Sequence, residues 1–430
     1  MRGAALLVPT IPFLLGVALS VAAPAAIEPF PLADLRPGMR GFALTVLEGE
    51  EPDTFAVEIV GVTAGSGPGQ HLILVKALDE RIARTGIAAG MSGSPVFIDG
   101  RIAAALAYAY VGATEPIGAA VPFDEMRRGL GWSFERDGAE EPRSRRGAGH
   151  GLPPFPEWRA REAAGAGAGG EPRGDESRPV WPPAGMPAPR ELAGMRRLDL
   201  PMAVGGALGG AAASERSWWD ERGIALLPAL GGGAGEGAVR SAARAGRATL
   251  RTGDAIAIDL ISGDMAASAI GTVTWSEGDR VLALGHGFLT ALPIEVPVSR
   301  ARIHAIIPTR GVSFKIGAPV EEVGTLIADR EPGVAARLGR IAPRIPFSLR
   351  LRSGSGAFPE QAFDFSVARN EILSPALIAL AARSAVTVYG YGLGAGTLAS
   401  RLEILFDDGR RLAREDLLRT LSPGQAVGEA

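Results

Sequence analysis

The chain has 430 residues, with 44 basic and 47 acidic side chains, a formal charge of −3 and no cysteine. That length accommodates two or three domains. The balanced charge argues against nucleic-acid binding, which needs a basic stripe, and the lack of cysteine excludes disulfides, thiolate zinc sites, a cysteine nucleophile and a lipidated N-terminal cysteine. No stretch shows metal-ligand spacing, so neither a metal nor a cofactor is expected.

In chain order, residues 1–25 read as a signal peptide: Arg2 supplies the positive start, Leu6 to Val21 the apolar core, and Val21-Ala-Ala23 or Ala23-Pro-Ala25 the small residues of a cleavage site. The mature chain is therefore expected in the periplasm or beyond. Later apolar runs such as Ala376–Ala382 are too short to span a bilayer, so no integral span beyond the signal sequence is expected. Residues 26–135 alternate short Val/Ile/Leu runs with Gly/Pro turns and predict a β-rich unit, ending in a helix from Phe123 to Arg128. Residues 136–198 change to Arg, Glu, Gly, Ala and Pro, with extremes at Ala163–Gly170 and Pro153–Pro156. Such a segment buries too little apolar surface to offset its ordering entropy and reads as a flexible linker.

A second β-rich unit is predicted over residues 199–342. It contains a helix at Ala212–Arg222, strands across Leu250–Leu284 with a hairpin turned at Glu277-Gly278-Asp279, and more strands across Arg300–Ile316. The Leu230–Gly237 glycine cluster lacks the Gly-Lys-Ser/Thr ending of a phosphate loop and reads as a turn. Residues 343–430 predict a small C-terminal β-module, alternating at Phe347–Arg352 and Leu402–Phe406. One helix interrupts it, with Ser374 as N-cap and Pro375 at the first helical position.

The chemistry concentrates in two places. Residues 90–95 read Gly-Met-Ser-Gly-Ser-Pro between apolar segments. The glycines permit a sharp turn and close approach of a substrate, and the Gly90 and Ser92 amides are placed to converge on a developing oxyanion. A plain glycine-rich turn is the competing reading, and Ser94 is an alternative nucleophile, though its neighbour Pro95 suggests that it supports the loop. Of the four histidines, only His286, between Gly285 and Gly287 at a strand end, has the setting of a general base; its alternative is a buried ring satisfied by carbonyls. His71 follows a Pro-Gly turn, His150 lies in low-complexity sequence and His304 among aliphatics.

For the acid, Asp79 precedes Ser92 closely, with Asp254 and Asp279 as rivals, although Glu80-Arg81 beside it also suits a solvated charged turn. Lys76, one of only two lysines, lies in an apolar strand and opens a Ser–Lys dyad as a different chemistry.

The chain resembles the SpoIVB peptidases at Thr85–Pro95, at Leu282–Gly287, at Gly324–Arg330 with Gly333, and at Leu35–Phe42 followed by Phe55–Gly61. The resemblance implies a Ser/His/Asp endopeptidase with Ser92 as nucleophile and His286 as base, acting on an envelope or secreted protein in a regulatory step. Two departures stand out. In the sporulation protease the histidine precedes the serine, whereas here Ser92 comes first, a reversal that triad geometry permits. No PDZ-like segment is evident either.

The expected fold is mainly β, a trypsin-like serine peptidase of two β-rich halves with the site between them. Asp79 would orient the imidazole. Two other function classes remain open: an inactive protease-fold scaffold of the envelope, and a serine hydrolase of small esters or amides.

Overall fold

The computed structural model describes residues 28–65, 69–136, 191–192, 195–204, 219–220, 224–228, 249–289, 294–356, 359–371, 373–388, 396–420 and 427. The chain is mainly β, as expected. The first unit comprises β1 (Arg40–Thr45), β2 (Asp53–Ala64), β3 (His71–Ala77), β4 (Pro95–Ile98), β5 (Arg101–Tyr110) and β6 (Ile117–Pro122). These pair in the order β4-β1-β2-β3-β6-β5, and a further β4–β5 pairing closes the ring into a six-stranded antiparallel barrel. In β2 the inward Phe55, Val57 and Ile59 are buried and their neighbours Thr54, Ala56 and Val60 are exposed, the period-two pattern of a strand with one face in a core. Strand β5 is buried on both faces from Ile102 to Ala109. One side lines the barrel and the other meets the second barrel, which is why small alanines dominate it.

Two short strands, β7 (Glu191–Leu192) and β8 (Met195–Arg197), extend the sheet from β5, with Tyr108 opposite Arg197. The last residues of the expected linker are thus strands. They pair because Met195 and Leu198 bury apolar side chains here, which a linker would leave in water. Residues 137–190 lie outside the described residues, as do the signal segment up to residue 27 and the 230–237 glycine cluster.

The second barrel contains β11 (Ala255–Gly263), β12 (Ala267–Glu277), β13 (Arg280–Ala283), β14 (Val296–Ile307), β15 (Phe314–Arg330) and β16 (Gly333–Leu338). Their order is β12-β13-β16-β15-β14-β11, closed by a β11–β12 pairing. Strands β9 (Leu200–Val204) and β10 (Ile224–Pro228) add beyond β12, while β17 (Arg344–Leu351) and β18 (Gln361–Ala368) add beyond β11. The expected C-terminal module therefore divides. Phe363, Phe365 and Val367 pack with Leu373 and Leu377 in the core of the second barrel, so residues 344–386 belong to that unit. Only β19 (Gly396–Leu405) and β20 (Arg411–Thr420) form a separate two-stranded sheet.

Helices α1 (Glu80–Thr85), α2 (Phe123–Arg136) and α3 (Leu373–Val386) accompany the sheets. Helix α2 extends past its expected end, and α3 starts one residue before Ser374. Its Leu373 amide is received by the Asn370 side chain at 3.1 Å, while the Ser374 hydroxyl turns back to the Ala368 and Asn370 carbonyls. Of the expected 212–222 helix, only residues 219–220 are described, and they are helical. No helix among the described residues is long and apolar enough to cross a membrane.

The barrels dock through buried contacts. Val46 inserts among Ala255, Ala257, Ile270, Ala301 and Ile303, and Phe123, Met126 and Leu130 of α2 lie against Leu282, Ala328 and Ala335. Each fully buried aliphatic or aromatic side chain contributes about 1.5–3 kcal/mol. Gly49 and Ile303 exchange backbone hydrogen bonds of 2.7 and 2.8 Å across the seam, and Glu50 pairs with both Arg300 and Arg302.

Candidate active site

The serine loop runs from the end of α1 into β4 and lies on the second barrel. Strand β12 carries Thr272 and Thr274 at alternate positions, so both hydroxyls face the same way. Thr272 donates to the Gly90 carbonyl at 3.0 Å and Thr274 to the Gly93 carbonyl at 2.8 Å, while the Thr272 amide donates to the Ser92 carbonyl at 2.8 Å. The loop could not lie so close with side chains at its glycines. A Cβ on Gly93, whose φ is +93°, would sit 2.1 Å from the Thr272 carbonyl oxygen.

Peptide planarity sets the direction of the two amides expected to receive an oxyanion. In a trans peptide the N–H points opposite to the C=O of the same plane. The Ala89 carbonyl accepts from the Lys315 amide at 2.9 Å, which fixes the Gly90 N–H. The Met91 carbonyl accepts from the Ser94 amide at 2.9 Å, which fixes the Ser92 N–H. Neither the Gly90 nor the Ser92 amide has a hydrogen-bond acceptor among the described residues.

The second barrel brings His286 to the serine. The turn after β13 passes through Leu284 and Gly285, both at positive φ (73° and 67°), and the imidazole Nε2 lies 2.9 Å from Ser92 Oγ across 194 positions of chain. Its Nδ1 lies 2.8 Å from the Gly287 carbonyl oxygen. A carbonyl only accepts, so Nδ1 carries the proton and Nε2 is the free lone pair facing the serine. Both residues are buried, Ser92 at 0% and His286 at 1% exposure. Burial, with a smaller contribution from the Arg197 charge, pushes the imidazole pKa down to about 3. The ring is thus neutral at physiological pH, the state a general base requires.

The structure does not bring Asp79 to this pair. Its carboxylate caps α1, accepting from the Arg81 amide at 2.8 Å, and is gripped by the Arg81 guanidinium at 3.0–3.1 Å. The bond from Arg81 holds its pKa below the ordinary value. Where the acid was expected at Nδ1, the Gly287 carbonyl stands instead. The rivals are also engaged elsewhere: Asp254 accepts from Arg251 at 2.7 Å and Asp279 from Arg337 at 2.9 Å. Lys76 extends outward to Glu115 at 2.5 Å, so the Ser–Lys pairing has no geometric basis. Ser94 Oγ is buried without a hydrogen-bond partner among the described residues and does not meet the imidazole. Among the described residues, no group of three or more His, Cys, Asp or Glu could hold a metal.

Several supporting residues escape a motif-based reading. Asp329 is buried and accepts from the Phe288 and Leu289 amides at 2.7 and 2.6 Å, fixing the turn just beyond His286. It belongs to the Gly324–Arg330 segment, whose resemblance to the family assigned it no role. Thr272 and Thr274 carry a faint signal, as two polar residues alternating in a strand that is otherwise buried and small. Lys315 carries a stronger one as the second of only two lysines, set in an apolar strand.

No curated protein and no solved structure matches the chain. Residues 32–126 match the family described as SpoIVB peptidase S55. The match spans all six strands of the first barrel and the whole serine loop, while His286 lies outside it. Over those residues the chain is similar to the SpoIVB peptidases.

Proposed function

We propose that the chain is an exported serine endopeptidase in which Ser92 is the nucleophile and His286 the base. The observation that carries this reading is the 2.9 Å contact between Ser92 Oγ and the unprotonated His286 Nε2, in a loop whose Gly90 and Ser92 amides have no hydrogen-bond acceptor among the described residues. Ser92 Oγ attacks the peptide carbonyl carbon and passes its proton to Nε2. The carbonyl oxygen becomes an oxyanion received by the Gly90 and Ser92 amides. Collapse breaks the C–N bond, and the leaving amine takes the proton back from Nε2. Water then attacks the acyl-enzyme with the same base and restores Ser92. The imidazolium formed in between is steadied by the Gly287 carbonyl dipole, with no carboxylate on the ring among the described residues.

Export rests on the Arg2 and Leu6–Val21 pattern, and an envelope or secreted protein substrate rests on the family resemblance. The pair is withdrawn from solvent. That burial, together with the missing carboxylate, favours one second reading, a folded scaffold with a silent site.

Fluorophosphonate labelling of the purified mature protein separates the two. An adduct on Ser92, located by mass spectrometry and lost in both Ser92→Ala and His286→Ala, supports the peptidase. A well-folded protein that takes no label overturns it in favour of the scaffold.

A further inference from the structure

We infer that Lys315 is a positioning residue for the oxyanion loop, acting on Gly90 through its own backbone and through a directed chain of hydroxyls, Thr45 and Thr272. The inference rests on the proposed peptidase reading and concerns the geometry of the same site.

Lys315 lies in β15 of the second barrel and is 1% exposed. Its backbone runs beside the serine loop, where the Ala89 amide donates to the Ser313 carbonyl at 2.7 Å and the Lys315 amide to the Ala89 carbonyl at 2.9 Å. Its stem lies across Gly90, where a Cβ would stand 3.1–3.2 Å from Lys315 Cβ, Cγ and Cδ. The amine then reaches around to Thr45 of the first barrel, with Nζ 2.6 Å from Oγ1. Thr45 Oγ1 is 3.3 Å from Thr272 Oγ1, which in turn is 3.0 Å from the Gly90 carbonyl oxygen.

Proton counting gives this chain one direction. The Gly90 carbonyl only accepts, so the single hydroxyl proton of Thr272 goes there. The proton between the two threonines must then come from Thr45. With its own proton committed, Thr45 accepts from Lys315, the only group in the series able to donate without accepting. Donors aligned in this way polarise one another.

Gly90 is therefore held on both sides by one residue. The Lys315 amide fixes the Ala89–Gly90 peptide and with it the Gly90 N–H, while the Lys315 amine anchors the hydroxyls that hold the next carbonyl. A buried amine with no carboxylate within hydrogen-bond reach among the described residues is costly to keep. Desolvation also pushes its pKa down to about 7, and the chain has an amine at the start in either protonation state.

The test uses the mature protein and three variants. Lys315→Met keeps the stem over Gly90 and removes the amine. Thr45→Val keeps the shape and removes the hydroxyl, and Thr45→Ser keeps the hydroxyl. Melting temperature confirms folding, and the rate of Ser92 phosphonylation is measured with turnover of a short ester, resolved into kcat and KM. The inference expects a tenfold or greater fall in labelling rate and kcat for Lys315→Met and Thr45→Val, with KM unchanged and Thr45→Ser near the parent. Parent-like rates in folded Lys315→Met and Thr45→Val, with the parent labelled at Ser92, overturn the inference and leave the peptidase standing. A parent that takes no label removes the peptidase reading and this inference with it.

Discussion

Asp329 and His286 lie 43 positions apart in sequence, yet the carboxylate of the first is bonded to the turn that presents the second. It receives the Phe288 and Leu289 amides, one and two residues beyond Gly287, whose carbonyl meets the imidazole. A carboxylate thus fixes the turn that carries His286, through the backbone and not through the ring. This differs from the arrangement in which an aspartate meets the imidazole directly.

If that is its role, Asp329→Asn should weaken the site without touching it. The amide offers one acceptor oxygen and turns an NH2 toward one of the two backbone donors, leaving a buried N–H unpaired at a cost of about 1–3 kcal/mol. A lower melting temperature and a labelling rate reduced about tenfold are expected, with labelling still confined to Ser92. Unchanged labelling would show that the turn holds its shape without the carboxylate.

Asp79 gives the opposite expectation. Bound to Arg81 and capping α1, it should be dispensable for chemistry. Asp79→Asn keeps an acceptable cap, and Asp79→Ala should cost about 0.5–2 kcal/mol of stability. Both should label at Ser92 at rates close to the parent. A 10⁴-fold loss of the kind that follows removal of a triad aspartate would place Asp79 in the mechanism after all.

These contrasts show how far the sequence reaches. The serine loop and His286 were legible because positive-φ turns leave glycines around them, and glycine is visible in a sequence. Alternating apolar runs likewise announce barrel strands. The partner of the imidazole Nδ1 is not legible, because it is a backbone carbonyl, and a carbonyl leaves no residue type to read. Residues 191–197 read as linker because Arg, Gly and Glu dominate locally, yet Met195 and Leu198 bury enough to join the first sheet. Phe347–Arg352 reads as strand. Its membership of the second barrel depends on β18 meeting β11, a pairing about 100 residues apart that no local pattern encodes.

The docking of the serine loop onto β12 offers a third expectation. Thr274→Val removes the donor to the Gly93 carbonyl while keeping the shape, which should cost about 1 kcal/mol. Gly93→Ala is far harsher. Its φ of +93° and a Cβ 2.1 Å from the Thr272 carbonyl oxygen force the two barrels apart at the site. Thermal unfolding should show a small shift for Thr274→Val. For Gly93→Ala it should show either a large destabilisation or a folded protein that takes no label at Ser92. A normally labelled, normally stable Gly93→Ala protein would contradict the close approach.

The two buried bases give opposite ends of a pH series. His286 is neutral in the fold down to about pH 3, whereas an unfolded imidazole takes its proton near 6.5. Between those values the unfolded chain holds the extra proton, so stability rises with pH and is lost as pH falls from 6.5 toward 3. Lys315 acts in the same direction at higher pH, with a folded value about 7 against an ordinary 10.5. Stability tied to it therefore rises between pH 7 and 10.5 and is lost as pH falls through that window. The parent should melt at lower temperature at pH 5 than at pH 6.5, and at pH 7 than at pH 9. His286→Ala should flatten only the acidic slope and Lys315→Met only the alkaline one. Labelling of the protein that remains folded should hardly change from pH 7 to 5, because the folded imidazole does not titrate there. A labelling rate that falls tenfold per pH unit below 6.5, with folding intact, would show that His286 titrates as an exposed histidine and that its burial is lost in the reactive state.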